Sequence, residues 1–136
     1  MAASKVVDVA GHIMEPADLW EKNLEVKYKD RALRIRKDED GLEYLEIDGH
    51  KSEIFKGETL ASFGAAGASY EELREKWFKP GVVDWEECQP PGAKDPHARI
   101  KWMDEQGIDV CLLYPTIGLT LDAECRDSKL LAAYCR

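Results

Sequence analysis

The chain has 136 residues, of which 44% are hydrophobic, and carries a net charge of −8. Because an acidic chain lacks the basic stripe that nucleic-acid binding requires, we expect no nucleic-acid partner. The sequence contains no apolar run long enough to span a bilayer and no signal-peptide pattern at its start, so we expect no membrane contact and a cytoplasmic location.

The first predicted element is a short strand that leads into a histidine. A valine-rich run at residues 5–10 predicts a buried parallel strand, and a helix is expected from Pro16 through Leu24. His12 then lies at the carboxyl end of the strand, which is the end that carries the chemistry in barrel enzymes. His12 is therefore a candidate metal ligand or acid–base group, and the simpler alternative is a histidine bonded to backbone.

Three neighbours bear on the role of His12. Side chains two apart on a strand point to one face, so Asp8, Ala10 and His12 are expected together. Ala10 has no lone pair to offer, whereas Asp8 is a candidate ligand one strand step further from the rim. Glu15 is expected either to orient His12 or to cap the helix that begins at Pro16, and capping is the favoured alternative.

The middle of the chain predicts a β-hairpin inserted after the first strand. Residues 32–37 and 42–48 alternate apolar and polar side chains, and between them residues 38–41 end in a glycine. We expect this hairpin to be partly exposed. The insertion as a whole is expected to span residues 24–91.

Two loops and a helix are expected in the rest of the insertion. Residues 57–67 are rich in Gly, Ala and Ser and predict a loop. Ser69 and Glu72 have the spacing of a capping box, which predicts a helix that runs to about Lys79. Residues 80–93 contain several prolines and predict a second loop.

A helix and a strand follow with clear boundaries. Asp95 is a good N-cap, Pro96 suits the first helical position, and Gly107 ends the helix. Residues 108–114 are nearly all apolar, which is typical of a strand buried on both faces. With the first strand they form a strand–helix–strand unit with parallel strands.

The end of this second strand lies at the same rim as His12. Tyr114 and Thr116 are therefore candidates for contact with a substrate or for support of the site. The simpler alternative is that they finish a strand and cap a loop. Residues 127–136 predict an amphipathic helix without a stop signal, so we expect the chain to be the first portion of a longer fold.

Two motifs resemble a known family. The first is Asp-x-Asp-x-His-x-x-Glu-Pro followed by Asp-Leu-Trp, which is matched at Asp8, His12, Glu15, Pro16, Asp18, Leu19 and Trp20. The second is an Arg-containing helix, then Asp-x-x-Gly-Ile-Asp and Tyr-Pro-Thr, matched at Arg99, residues 104–109 and residues 114–116. Together they resemble the amidohydrolase-related family that contains aminocarboxymuconate-semialdehyde decarboxylase-like enzymes. The chain departs at Ala10, where the family usually has Asp, Glu or His.

The resemblance implies an α/β fold, the N-terminal part of a TIM-type (β/α)8 barrel, with residues 1–136 as an incomplete barrel domain. Complete barrels need about 250 residues. It also implies a metal-dependent hydrolase or decarboxylase for a small carboxylate or ring substrate, with a divalent ion, commonly zinc, that activates water or polarises a substrate oxygen.

Further histidines and an aspartate from later strands complete the family's metal site. The chain alone is therefore expected to be inactive, to bind metal weakly and, through unpaired strand edges, to form homo-oligomers. The alternative is a non-catalytic α/β fragment or interaction module with a decayed site, and Ala10 is the mark of that decay.

Overall fold

The computed structural model describes residues 5–65, 67–77 and 84–136. These residues form a two-stranded parallel sheet and a three-stranded antiparallel sheet, with short helices around them. The strands are β1 (Val7–His12), β2 (Arg34–Lys37), β3 (Glu43–Ile47), β4 (His50–Lys56) and β5 (Val110–Tyr114). The helices are α1 (Leu19–Asn23), α2 (Glu58–Gly64), α3 (Tyr70–Glu72), α4 (Pro91–Lys94), α5 (Pro96–Gln106), α6 (Leu121–Glu124) and α7 (Ser128–Tyr134). Short 3-10 segments occupy Val26–Arg31 and Ile117–Thr120.

The parallel sheet has the predicted strand–helix–strand order. β1 pairs in parallel with β5, and α5 lies immediately before β5. The Asp95 carboxylate accepts the backbone N–H groups of His97 and Ala98 at 2.7 and 3.2 Å, so it caps α5 as predicted. Gly107 ends the helix with φ of 69°, a left-handed conformation that favours glycine.

The expectation that both parallel strands are buried is wrong. Val9 is 61% exposed, Leu112 is 48% exposed and Tyr114 is 42% exposed. The physical reason is that this sheet has two strands among the described residues, and no second layer of those residues covers the face that these side chains share. The apolar pattern of the strands therefore corresponds to an exposed apolar face rather than to a buried one.

The predicted hairpin is confirmed, and the structure adds a third strand. β2 pairs with β3 in antiparallel fashion, and β3 pairs with β4. His50 begins β4. The turn between β3 and β4 consists of Asp48 and Gly49, with φ of 52° and 78°. An Asp-Gly pair is a strong signal for such a two-residue turn and could have identified β4.

The expected loop at residues 57–67 is also wrong, because most of it forms α2. Its small residues allow close packing rather than flexibility. A Cβ added at Gly64 would lie 2.3 Å from Sγ of Cys88. Leu60 is fully buried, and the ring of Phe63 packs edge-on against Phe55 at 5.1 Å between centroids. Tertiary packing therefore overrides the low helix propensity of this segment.

The remaining helices agree in part with the predictions. The capping box of Ser69 and Glu72 is confirmed, and α3 continues as a π-helical turn over Leu73–Trp77. Its expected end near Lys79 lies outside the described residues. The expected loop at 80–93 lies partly outside them too, and α4 begins within it at Pro91. The predicted C-terminal helix is confirmed as α7.

The hydrophobic core lies between the antiparallel sheet, α1, α2 and the C-terminal helices. Its fully buried large side chains are Leu33, Leu45, Phe55, Leu60, Trp85, Ile117, Leu121 and Leu130. The core holds the segment after β1 against the segment after β5, and this contact positions the candidate site. Among the described residues, no helix has the length and apolar character that crossing a bilayer requires.

Candidate functional site

β1 carries a β-bulge directly before its final two residues. The strand pairing is regular up to Asp8, which lies opposite Cys111, and resumes at Gly11, which lies opposite Leu113. β1 therefore takes three steps where β5 takes two, so it contains one extra residue. An extra residue shifts the alternation of side chains by one position. His12 consequently points to the face opposite that of Asp8.

The expectation that Asp8, Ala10 and His12 share one face is thus wrong for Asp8, and Ala10 lies inside the bulge, two residues before His12. The Asp8 carboxylate accepts the Ala10 N–H at 3.0 Å, and the Cys111 thiol lies 3.3 Å from its other oxygen. These contacts, the backbone hydrogen bond first, hold the pKa of Asp8 below its usual value. Asp8 is an ionised carboxylate that lies away from the imidazole.

Two oxygen atoms at the end of β5 hold the ring of His12. Its Nδ1 lies 3.2 Å from the carbonyl oxygen of Pro115 and 3.3 Å from Oγ1 of Thr116. The Thr116 hydroxyl donates its own hydrogen to the carbonyl of Ile13 at 2.7 Å, so both oxygens accept from the ring. Nδ1 of the neutral ring therefore carries the hydrogen, and the lone pair of Nε2 is left for a ligand.

The surroundings of this ring are apolar on one side. Tyr114, the β5 neighbour of His12, has its ring centroid 6.3 Å from that of the imidazole. By alternation Val110 and Leu112 share the same face, and both are exposed. A group bound at Nε2 would therefore lie beside hydrocarbon, where electrostatic interactions are stronger than in water once solvent is excluded.

Glu15 is placed differently from both expectations. The residue is 4% exposed, and its carboxylate accepts the backbone N–H groups of Thr116, Ile117 and Gly118 at 3.1, 3.1 and 2.9 Å. It therefore caps the 3-10 turn after β5, and it neither bonds to His12 nor caps the helix near Pro16. The free N–H groups at the start of that turn attract the nearest buried anion.

The two rim candidates on β5 are both brought next to His12. Thr116 is buried and supports the imidazole through its hydroxyl, which sequence analysis had allowed as one alternative. Tyr114 is partly exposed beside the ring. Its contact with a substrate stays a prediction.

The residues present do not fit a complete metal site. Zinc sites use three or four protein ligands, and a catalytic site leaves one position open. Within residues 5–65, 67–77 and 84–136, no group of three His, Cys, Asp or Glu side chains is placed to hold a metal ion. Ala10, two residues before His12, offers no donor atom, and Asp8 lies on the face opposite His12. His12 alone is available there.

Two residues that support the site were not identified from the sequence. Arg99, on α5, donates from Nη2 to the backbone carbonyl of His12. Trp85 donates from its indole N–H to the carbonyl of Glu15 at 2.8 Å. Arg99 belongs to the second motif, so a signal existed, whereas a tryptophan in an irregular segment carries no signal of a distant partner.

Structural comparison relates the chain to part of an amidohydrolase from Mycobacterium avium subsp. paratuberculosis K-10. The two share a TM-score of 0.62 and 24% sequence identity, over 95% of this chain and 35% of that protein. The chain has an amidohydrolase-like α/β fold. It spans about a third of the amidohydrolase that it matches. No protein-family model matches the chain, and no curated protein matches it.

Proposed function

We propose that this chain is the His12-bearing part of a metal-dependent hydrolase or decarboxylase with an amidohydrolase-type barrel. The observation that carries the proposal is the arrangement of His12, at the end of a parallel strand with Nδ1 held by two acceptors. Metal-binding histidines commonly donate their other ring N–H to a backbone carbonyl in this way. The likeness in fold to an amidohydrolase supports the same conclusion.

The proposed ligand is a divalent ion, with zinc as the favoured metal, and the proposed substrate is a small carboxylate or ring compound. The described residues would supply one ligand, Nε2 of His12. The motifs around Asp8 and Asp95 favour the aminocarboxymuconate-semialdehyde decarboxylase-like branch of the family. In this proposal the chain alone binds metal weakly and has no turnover.

One observation favours a second candidate function, a non-catalytic interaction module with a decayed site. Ala10 occupies the position two residues before His12, where the sequence motif leads us to expect a second ligand. The exposed apolar side chains of β1 and β5 would then serve contact with another protein, including a second copy of the chain.

The two functions are separated by a zinc titration observed through the histidine ring nitrogens in NMR spectra. His50 and His97 are exposed and serve as internal controls. The enzyme proposal predicts that Nε2 of His12 responds at a lower zinc concentration than either control. Equal responses of all three rings would overturn the metal role of His12 and favour the interaction module.

A further inference from the structure

Trp85 connects the antiparallel sheet to the segment that follows β1. The residue is 1% exposed, and its backbone N–H donates to the Glu43 carboxylate on β3 at 2.6 Å. Its indole N–H donates to the carbonyl of Glu15 at 2.8 Å. Because both donors of one buried residue are used, the position of the Glu15 backbone is fixed relative to the antiparallel sheet.

Glu15 in turn orders the turn after β5. Its carboxylate accepts three successive backbone N–H groups, from Thr116 to Gly118. Among the ion pairs of the described residues, none includes Glu15, so its carboxylate is held by backbone N–H groups rather than by a cationic side chain. The packing is close, since a Cβ added at Gly118 would lie 2.9 Å from the Pro115 side chain and 3.3 Å from the Glu15 carboxylate.

The same turn holds the imidazole. The carbonyl of Pro115 and the hydroxyl of Thr116 are the two acceptors for Nδ1 of His12. Both belong to residues at or next to the N–H groups that Glu15 accepts. A displacement of the Glu15 carboxylate would therefore change the acceptors that select the ring tautomer.

We propose that Trp85 is a positioning residue for His12, acting through Glu15 and the turn at residues 115–118. Its indole N–H holds the Glu15 carbonyl, the Glu15 carboxylate orders the turn, and the turn keeps the hydrogen of His12 on Nδ1. Trp85 itself lies shortly before α4, and the hydrogen-bond partners of Nδ1 are Pro115 and Thr116. The proposal rests on the proposed function only for the purpose of this tautomer, which is to leave Nε2 free for a metal. The positioning itself requires no metal.

The test compares Trp85→Phe with Trp20→Phe in the metal-free protein. Phenylalanine keeps a six-membered aromatic ring and removes the indole N–H donor. Trp20 is a matched control because it is also buried and donates its indole N–H to a backbone carbonyl, that of Tyr134 at 3.1 Å. Spectra are recorded at about pH 8, where imidazole is neutral, since the ordinary histidine pKa is about 6.5.

Two readouts are expected to change in Trp85→Phe alone. The ring nitrogens of His12 change from the Nδ1–H form to a mixture of tautomers, and the amides of residues 116–118 exchange about tenfold faster, as loss of one buried hydrogen bond predicts. The proposal is overturned if the His12 tautomer stays unchanged in Trp85→Phe, or if Trp20→Phe changes it equally.

A second pair of variants keeps the proposal testable if Trp85→Phe does not fold. Glu15→Gln retains one oxygen acceptor but replaces the other oxygen by an amide NH2 group, which cannot accept from the backbone N–H donors. Its control is Glu124→Gln, because the Glu124 carboxylate also accepts a backbone N–H, that of Glu53 at 2.9 Å. A mixture of His12 tautomers in Glu15→Gln, with the control unchanged, supports positioning of His12 through Glu15 and the turn at residues 115–118. An unchanged His12 tautomer in Glu15→Gln overturns this positioning proposal, and it does so independently of whether His12 binds metal.

Discussion

Asp8 and His12 lie on opposite faces of β1, because the bulge between them, which contains Ala10, adds one residue to the strand. The methyl group of Ala10 is exposed, so a larger side chain fits there without repacking. An acidic side chain at position 10 would add a second donor two residues before His12.

Ala10→Asp is expected to tighten zinc binding by about tenfold, equivalent to about 1.4 kcal/mol, because it adds a carboxylate ligand beside the imidazole. Isothermal titration calorimetry measures the change. Ala123→Asp, at an exposed position on α6, adds the same charge elsewhere and is expected to leave the affinity unchanged. Equal gains in both variants would show a general charge effect and contradict the prediction.

Glu43→Gln is expected to stabilise the protein at pH 7. The Glu43 carboxyl is buried, and desolvation raises its pKa to about 6 even though the Trp85 N–H bond favours the anion. Because the folded state holds this proton more tightly than the unfolded state, the penalty is fully present above about pH 6. The penalty disappears as the pH falls below 4.5, the ordinary pKa of a glutamate side chain.

Glutamine removes the buried charge and keeps an oxygen for the Trp85 N–H. We therefore expect the free energy of unfolding in urea to rise by about 1 to 2 kcal/mol at pH 7, and to equal that of the parent protein at a pH well below 4.5. Glu87→Gln, at an exposed position nearby, serves as the control. A gain that is the same at both pH values would show that relief of the buried charge is not the cause.

Gly64→Ala is expected to destabilise the protein by about 1 to 3 kcal/mol through overpacking. The added Cβ would lie 2.3 Å from Sγ of Cys88 and 3.2 Å from the Trp85 ring. Thermal unfolding of the single variant is compared with that of Gly64→Ala combined with Cys88→Ala. Removal of the sulfur is expected to recover part of the loss, so strictly additive effects would argue against this contact.

Leu112→Lys is expected to reduce self-association of the chain. Leu112 lies on the exposed apolar face of β5, and a charged side chain there opposes contact between two such faces. Sedimentation velocity over a range of concentrations measures the effect. Val26→Lys changes an apolar residue that is 87% exposed elsewhere and is expected to have little effect. A parent protein that stays monomeric throughout would contradict the prediction.

Local signals predicted the helices best. Asp95, Pro96 and Gly107 each specify a backbone conformation or a cap by their own chemistry, and α5 follows their positions. The capping box at Ser69 did the same for α3. The failure at α2 has the opposite origin, because its helix depends on packing of Leu60 against distant residues rather than on propensity.

The sequence predicted where the candidate site lies, but not how its side chains are oriented and bonded. The position of His12 at a strand end followed from the apolar run before it, and its neighbours on β5 followed from parallel pairing. The bulge that turns Asp8 away depends on how two strands fit together. The partners of Glu15 lie about 100 residues further along the chain, so no local pattern contains them.

The hydrogen bonds of Glu15 are expected to be less sensitive to salt than the ion pairs of Arg31. Arg31 is partly exposed and pairs with Asp48 and Asp127 at 2.5 and 2.9 Å, so dissolved ions reach and weaken these contacts. The Glu15 carboxylate is held by backbone N–H groups inside the protein, where counter-ions do not enter. A high-salt solution thus loosens the contact between the β3–β4 turn and α7 while the turn beneath His12 keeps its shape.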